Sequence, residues 1–223
     1  PSVTRLVGLA NYRQVLADGE FWNAVRNTMI YVVVGGPLSV AVSLATALLV
    51  SARLARAKGF FRVVFFAPVV TTLVAVSIVF RYLYHPKYGL VDRALLGLGL
   101  PAPDWLGDPR FAMPAIILLA VWKSFGYNML ILVAGLQSIP REQYEAAELD
   151  GASAWSRFRH ITLPGLSPVL LLVCVLTLIG QFQLFAEPYV MTQGGPLRST
   201  ASLVLLMYEQ GFRWCRIGLA SAM

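Results

Sequence analysis

Charged residues are spaced unevenly along the 223-residue chain, and the gaps between them set its organisation. No Asp, Glu, Lys, Arg or His occurs in 27–52, 63–80 or 161–186, and the stretch 111–140 is interrupted only by Lys123. A bilayer core about 30 Å thick is crossed by roughly 20 apolar residues in a helix. A buried helix of a soluble bundle shows a polar stripe every third or fourth residue, and 28–50 has none. The pattern predicts an all-α, polytopic helical membrane protein. Residues 1–223 are expected to form a single transmembrane domain with four spans at about 28–50, 61–83, 112–137 and 167–190. Gly35, Gly36, Pro37, Pro68, Pro114, Gly126 and Gly180 fall inside these spans. Membrane helices tolerate such residues where neighbouring groups re-satisfy the backbone, so they predict kinks or close helix contacts.

Composition excludes the alternatives to a membrane. Hydrophobic residues make up 57% and charged residues 13%, against roughly 25% charged in a soluble domain. Disordered chains are charge-rich and apolar-poor, the reverse of this one. Two cysteines, Cys174 and Cys215, cannot make a disulfide scaffold, and Cys174 lies in an apolar run. The net charge of +7 would suggest nucleic acid in a soluble protein. Here it reads as topology: Arg53, Arg56, Lys58 and Arg62 lie in 51–62 without an acid, which places that loop in the cytoplasm. The loop 138–166 is then cytoplasmic too, and 1–26, 84–111 and 191–223 face the other side. The lipid bilayer, not nucleic acid, is the expected partner of this charge.

The loop 138–166 carries the densest chemistry. Glu142, Glu145 and Glu148 recur at i, i+3 and i+6 as a negative stripe, while Ala146 and Ala147 keep the helix thin. Gly151 stands where a left-handed C-terminal cap belongs. Beyond it, Trp155 and Phe158 are an i, i+3 aromatic pair among Arg157, Arg159 and His160, and Pro164 ends the segment. This predicts a helix, a glycine break and a second short helix. Composition alone fits two roles equally: docking in a partner's groove, or lying on lipid headgroups.

Glu145-Ala146-Ala147, then three residues, Gly151, nine residues, Ile161, one residue and Leu163-Pro164, resembles the EAA motif of binding-protein-dependent ABC importer permeases. Gly8 to Tyr12, Phe21-Trp22 and Asn27-Thr28 resemble the stretch before the second helix in carbohydrate-importer permeases. Thr192-Gln193-Gly194-Gly195-Pro196 followed by Thr200 resembles their outer loop, and Gly211-Phe212 and Gly218-Leu219-Ala220-Ser221-Ala222 their approach to the last helix. The likeness spans the chain and is closest to the maltose- and glycerol-3-phosphate-type group. It implies that a first and a last helix lie outside these residues.

The resemblance further implies a permease of the prokaryotic plasma (inner) membrane. It would pair with a second permease subunit as a heterodimer, be driven by two cytoplasmic ABC ATPase subunits, and be fed by an extracytoplasmic solute-binding protein. Glu145, Ala146, Ala147, Gly151, Trp155, Phe158, Ile161, Leu163 and Pro164 would couple to the ATPase. No G-x-x-x-x-G-K-[ST] phosphate loop occurs, so no cofactor is expected on this chain and ATP belongs to the partner subunit.

Polar residues inside spans are candidates for the substrate path. Lys123, Ser124, Tyr127 and Asn128 lie in the third span, and Gln181, Phe185 and Tyr189 recur every four residues in the fourth. Amides beside aromatics grip sugars, and the same residues also pack helix against helix. Lys123 suits an anion site, or an ion pair or snorkelling. Glu187 and His85 are expected at interfaces. No catalytic set or metal-ligand cluster is present in the sequence, so an enzyme is not expected. The leading expectation is an importer permease for a sugar or related polyol, with glycerol-3-phosphate or another small solute as alternatives. An ion-coupled secondary transporter or channel is the rival, supported by Lys123.

Overall fold

The computed structural model describes residues 7–51 and 58–223. Arg53 and Arg56 of the basic cluster lie outside the described residues, as do the side chains of Lys58 and Arg62. The described residues form helices joined by turns, with no strand among them. Gly19–Ser51, Pro109–Ser138 and Ala154–Met191 are each long and apolar enough to cross a bilayer. Gly59–Val70 and Leu73–Leu83 add a fourth span if that broken pair is counted as one. The span expected over 61–83, with a kink or close contact marked at Pro68, is a pair of helices bent at a break. The chain breaks at Thr71-Thr72, three residues after Pro68.

The chain divides into two compact units. One comprises 34–51, 58–72 and 120–181. Its core joins Ala47 and Val50 with Met129, Leu132, Val133, Leu166 and Val173, and Phe65 packs on it. Ser39 and Ser124 share a 2.7 Å hydrogen bond, so two helices of this unit carry a polar contact satisfied without water. Gly126 is required by close approach. A Cβ there would lie 2.0 Å from the Phe65 carbonyl oxygen, so the backbones of the 58–70 and 109–138 helices meet directly at that point.

The other unit comprises 7–33, 73–119 and 182–223. Asp18 caps the Gly19–Ile30 helix by accepting from the Glu20 amide at 2.9 Å. Leu203–Tyr208 packs on that helix, and Ala186–Met191 packs on Leu73–Leu83. The loop 192–202 is fastened by side chains far away in sequence. Asn27 Nδ2 donates to the carbonyls of Arg198 (2.9 Å) and Ala201 (3.0 Å), and Asn23 Nδ2 donates to Arg198 (3.0 Å). The Leu203 amide donates to Thr28 Oγ1 at 3.0 Å, and Thr200 bonds both Thr192 and the Gly195 carbonyl. These bonds account for Asn27, Thr28, Thr192 and Thr200, which the sequence marks only as resemblance. Tyr84 donates to the Ala115 carbonyl at 3.3 Å, and burial pushes its hydroxyl up to about 12, so it remains a donor.

The helix Gly19–Ser51 widens into a π-type turn at Tyr31–Gly35. Pro37 lacks the N–H that would reach the Val33 carbonyl, which explains the loosened ladder there. The last long helix runs Leu163–Phe182, stops at 183–185 and resumes as Ala186–Met191.

Two variants test these contacts. Gly126→Val should destabilise the detergent-solubilised protein by about 1–3 kcal/mol or more through overpacking, read as a lowered melting temperature. Asn27→Ala removes donors to two carbonyls, costing about 1–3 kcal/mol locally. Hydrogen exchange should accelerate in 198–203 and leave 129–133 unchanged.

Candidate functional site

The elbow is built from Arg141–Leu149, a turn, Ala154–Arg157 and a π-type turn over Phe158–Thr162. Its turn follows from the spacing of the motif. Gly151 has φ +73, its amide donates to the Glu148 carbonyl at 3.1 Å, and the Ala152 amide donates to the Ala147 carbonyl at 2.9 Å. That pair of bonds is the Schellman arrangement, with Gly151 at the left-handed position and Ala147 supplying the far carbonyl. Open space surrounds the place of a Gly151 Cβ, so conformation and not crowding selects glycine. Ser153 caps the second limb by accepting from the Ser156 amide at 3.2 Å.

Two contacts hold the limbs together. Arg157 pairs with Glu148, and Tyr144 and Thr162 share a 2.9 Å hydrogen bond. The expected stripe of three free carboxylates is thereby reduced, since Glu148 is engaged by Arg157. Among the exposed Glu142, Glu145, Asp150 and Arg159, two large apolar side chains also face outward: Leu149 is 90% and Trp155 67% exposed, and the Trp155 and Phe158 rings lie 5.5 Å apart. Glu145, Ala146 and Pro164 are also exposed, while Ile161 and Leu163 are half-buried where the elbow leads into the next helix.

Of the polar residues inside the spans, most are engaged by the protein itself. Lys123 Nζ donates to the carbonyls of Pro68 (2.7 Å) and Val69 (3.0 Å). These belong to the last turn of a helix that stops at Val70, where carbonyls have no intrahelical donor. Thr71 Oγ1 adds a 2.7 Å bond to the same Pro68 carbonyl. The ammonium thus caps a helix end; neither the anion site nor the ion pair expected for Lys123 is needed to explain it. Asn128 is buried and donates to Thr177 Oγ1 at 3.0 Å, a helix-to-helix bond. Gln181 is 5% exposed, and its Oε1 has no hydrogen-bond partner among the described residues.

The expected stripe of Gln181, Phe185 and Tyr189 along one helix is corrected. The helix ends at Phe182, and Phe185 precedes the next one. Leu184, buried in this break, turns its carbonyl to the Ser202 hydroxyl instead of a helical amide. Phe185 and Tyr189 do remain together, stacked at 5.3 Å, and both meet Tyr208. Glu187, expected at an interface, has its side chain turned into the protein. It is buried, with the Tyr31 hydroxyl as a hydrogen-bond partner. Sequence reasoning also missed the ion pair of Arg198 with Glu209 at 2.8 Å, which holds the Arg198 guanidinium above its ordinary basicity. No periodicity announces that pair, because its members come from a loop and a short helix. No group of three potential metal ligands occurs among the described residues.

The sequence of 39–222 matches the model of the family described as "binding-protein-dependent transport system inner membrane component". The chain is 39% identical over 211 residues to the lactose transport system permease protein LacF of Rhizobium radiobacter, covering 93% of this chain and 70% of that protein. It is 36% identical over 219 residues to a probable ABC transporter permease protein, YurN, of Bacillus subtilis, covering 97% of this chain and 75% of that one. Its fold resembles a crystal structure of a bacterial ABC transporter involved in the import of the acidic polysaccharide alginate. The TM-score is 0.85 at 21% identity, over 99% of this chain and 78% of that chain. With membrane-length helices, an exposed elbow at the EAA spacing and a family match over most of its length, the chain belongs to the binding-protein-dependent transport system inner membrane components.

Proposed function

We propose that this chain is the pore-forming permease subunit of an ABC importer for a sugar or oligosaccharide, and that the elbow 138–166 couples it to a cytoplasmic ATPase subunit. The observation that carries the coupling is the elbow itself. Two limbs locked by the Gly151 turn, the Arg157–Glu148 pair and the Tyr144–Thr162 bond present Leu149 and Trp155 outward. A rigid, thin, apolar-tipped element suits insertion in a cleft of a moving partner, because it transmits displacement without deforming. Lipid headgroups would demand no such internal bracing. Nucleotide-driven closure of the ATPase then shifts the permease between two access states.

The sugar assignment is supported by the lactose relative and by the character of the candidate path. Lys123, the one ionisable side chain in its apolar stretch, is spent on two backbone carbonyls, which removes the support for ion coupling or for a phosphorylated substrate. Gln181 is left with a buried, open acceptor, which a sugar hydroxyl satisfies as a donor. A solute-binding protein outside the membrane delivers the sugar, as the family's description suggests, and a second permease completes the pore.

Gly151→Val should leave membrane insertion intact and abolish both co-purification with the ATPase subunit and sugar-stimulated ATP hydrolysis. The left-handed backbone costs a non-glycine residue roughly 1–2 kcal/mol, and β-branching adds to it. Normal coupling in this variant would refute the elbow's role. Gln181→Ala should lower sugar uptake between about three- and tenfold, the worth of one hydrogen bond, with ATPase association unchanged. Unaltered uptake kinetics would remove Gln181 from the path.

A further inference from the structure

Tyr189, Gln193, Tyr208, Glu209, Phe212 and Arg213 line a cleft of about 340 Å³, within a single unit of the chain. Only Tyr189 among them is a substrate-path candidate of the sequence, while Gln193 and Phe212 fall in its motif segments. Four rings form a continuous ladder there. Phe185 stacks on Tyr189 at 5.3 Å, Tyr189 meets Tyr208 edge to face at 5.5 Å, and Tyr208 stacks on Phe212 at 5.6 Å. The last ring is 80% exposed, so one end of the ladder offers an open aromatic face.

Polar groups surround that face, and their charges balance. Glu209 is nearly buried, with Arg198 at 2.8 Å and Arg213 at 4.0 Å, and Arg198 also approaches Glu20 at 3.6 Å. Of these four groups, Glu209 and Arg213 line the cleft, one of each sign, and Arg198 with Glu20 forms a second balanced pair next to them. Nothing in this arrangement favours an anion or a cation, whereas both signs offer hydrogen bonds to hydroxyls. Gln193 sits at φ 52, in the left-handed region, fixed by the bonds of the turn after it: the Gly194 amide to Pro188 and the Gly195 amide to Thr192. Its amide is held at the rim as both donor and acceptor.

An open aromatic face beside a neutral set of donors and acceptors matches a pyranose ring. The ring's C–H face is apolar and packs on the aromatic, while its equatorial hydroxyls reach the rim. We propose that this cleft is a sugar-reception site of the permease, built from residues other than Asn128 and Gln181, which takes one uncharged pyranose unit of the transported oligosaccharide with Phe212 and Tyr208 as the platform. The proposal rests on the sugar-importer reading above. Its affinity is low by construction, since one exposed face gives little burial, and this suits a station that must release its ligand onward.

The test uses the complete transporter in proteoliposomes with its binding protein, and the same complex without that protein for direct binding. Uptake of radiolabelled lactose, maltose and trehalose is measured, together with saturation-transfer NMR of each sugar on the complex lacking the binding protein. Phe212→Ala should lower uptake at limiting sugar about five- to tenfold, the scale of one aromatic contact, with recovery at saturating sugar. It should also erase the saturation transfer to pyranose ring protons, and Phe212→Trp should restore both. Saturation transfer that persists in Phe212→Ala overturns the cleft assignment and leaves the importer reading standing. Loss of uptake without any saturation transfer to the unaltered complex overturns it as well, because the cleft then serves the binding protein instead. Failure of the unaltered transporter to import any of the three sugars overturns the importer reading, and this inference with it.

Discussion

Backbone amides and carbonyls in a bilayer must find partners within the protein, and this constraint governs the two breaks in the apolar helices. The 61–83 region stops being helical at Thr71-Thr72, which strands carbonyls in the middle of an apolar run. Lys123 and Thr71 answer that need. One side chain that looks like a functional charge is thus accounted for by the geometry of a helix 55 residues earlier. Gly126 lies one turn beyond Lys123 and lets the two helices come close enough for the ammonium to reach. The small residue and the cation form one joint. The second interruption, at 183–185, follows the same rule, with Ser202 taking the carbonyl of Leu184.

The elbow shows how far local spacing carries. Glu145-Ala146-Ala147 and Gly151 are separated by the number of residues that a Schellman cap requires, so its helix, turn and second limb are all legible from composition and position. The helical, membrane-embedded character of the chain is equally legible, because charge-free runs of this length are what a helix needs to cross a bilayer. Proline and glycine mark where a helix could bend, but not the residue at which it stops. Thr71 and Thr72 sit unremarked in an apolar stretch, and Gln183-Leu184-Phe185 preserves an i, i+4 rhythm that continues on paper after the helix has ended. Periodicity reports which residues are apolar. It does not report where the ladder is broken by a partner elsewhere.

Long-range polar contacts form a second illegible class. Asn23 and Asn27 meet carbonyls about 170 residues away, and Ser39 meets Ser124 across 85. Each of these residue types is ordinary in a helix when read alone, so nothing in the sequence names its partner. The consequence for the candidate site is direct. Of the intramembrane polar residues, Lys123 and Asn128 are committed to the scaffold, and Gln181 keeps an open acceptor.

The cap formed by Lys123 also bears on how the chain enters the membrane. A lone ammonium at mid-bilayer disfavours insertion by roughly 2.5–3.5 kcal/mol. Its acceptors, the carbonyls of Pro68 and Val69, precede it in the chain and are made first during synthesis. The 109–138 helix therefore follows the acceptors of its own ammonium in the order of the chain, and Lys123 finds them free because the 58–70 helix stops at Val70.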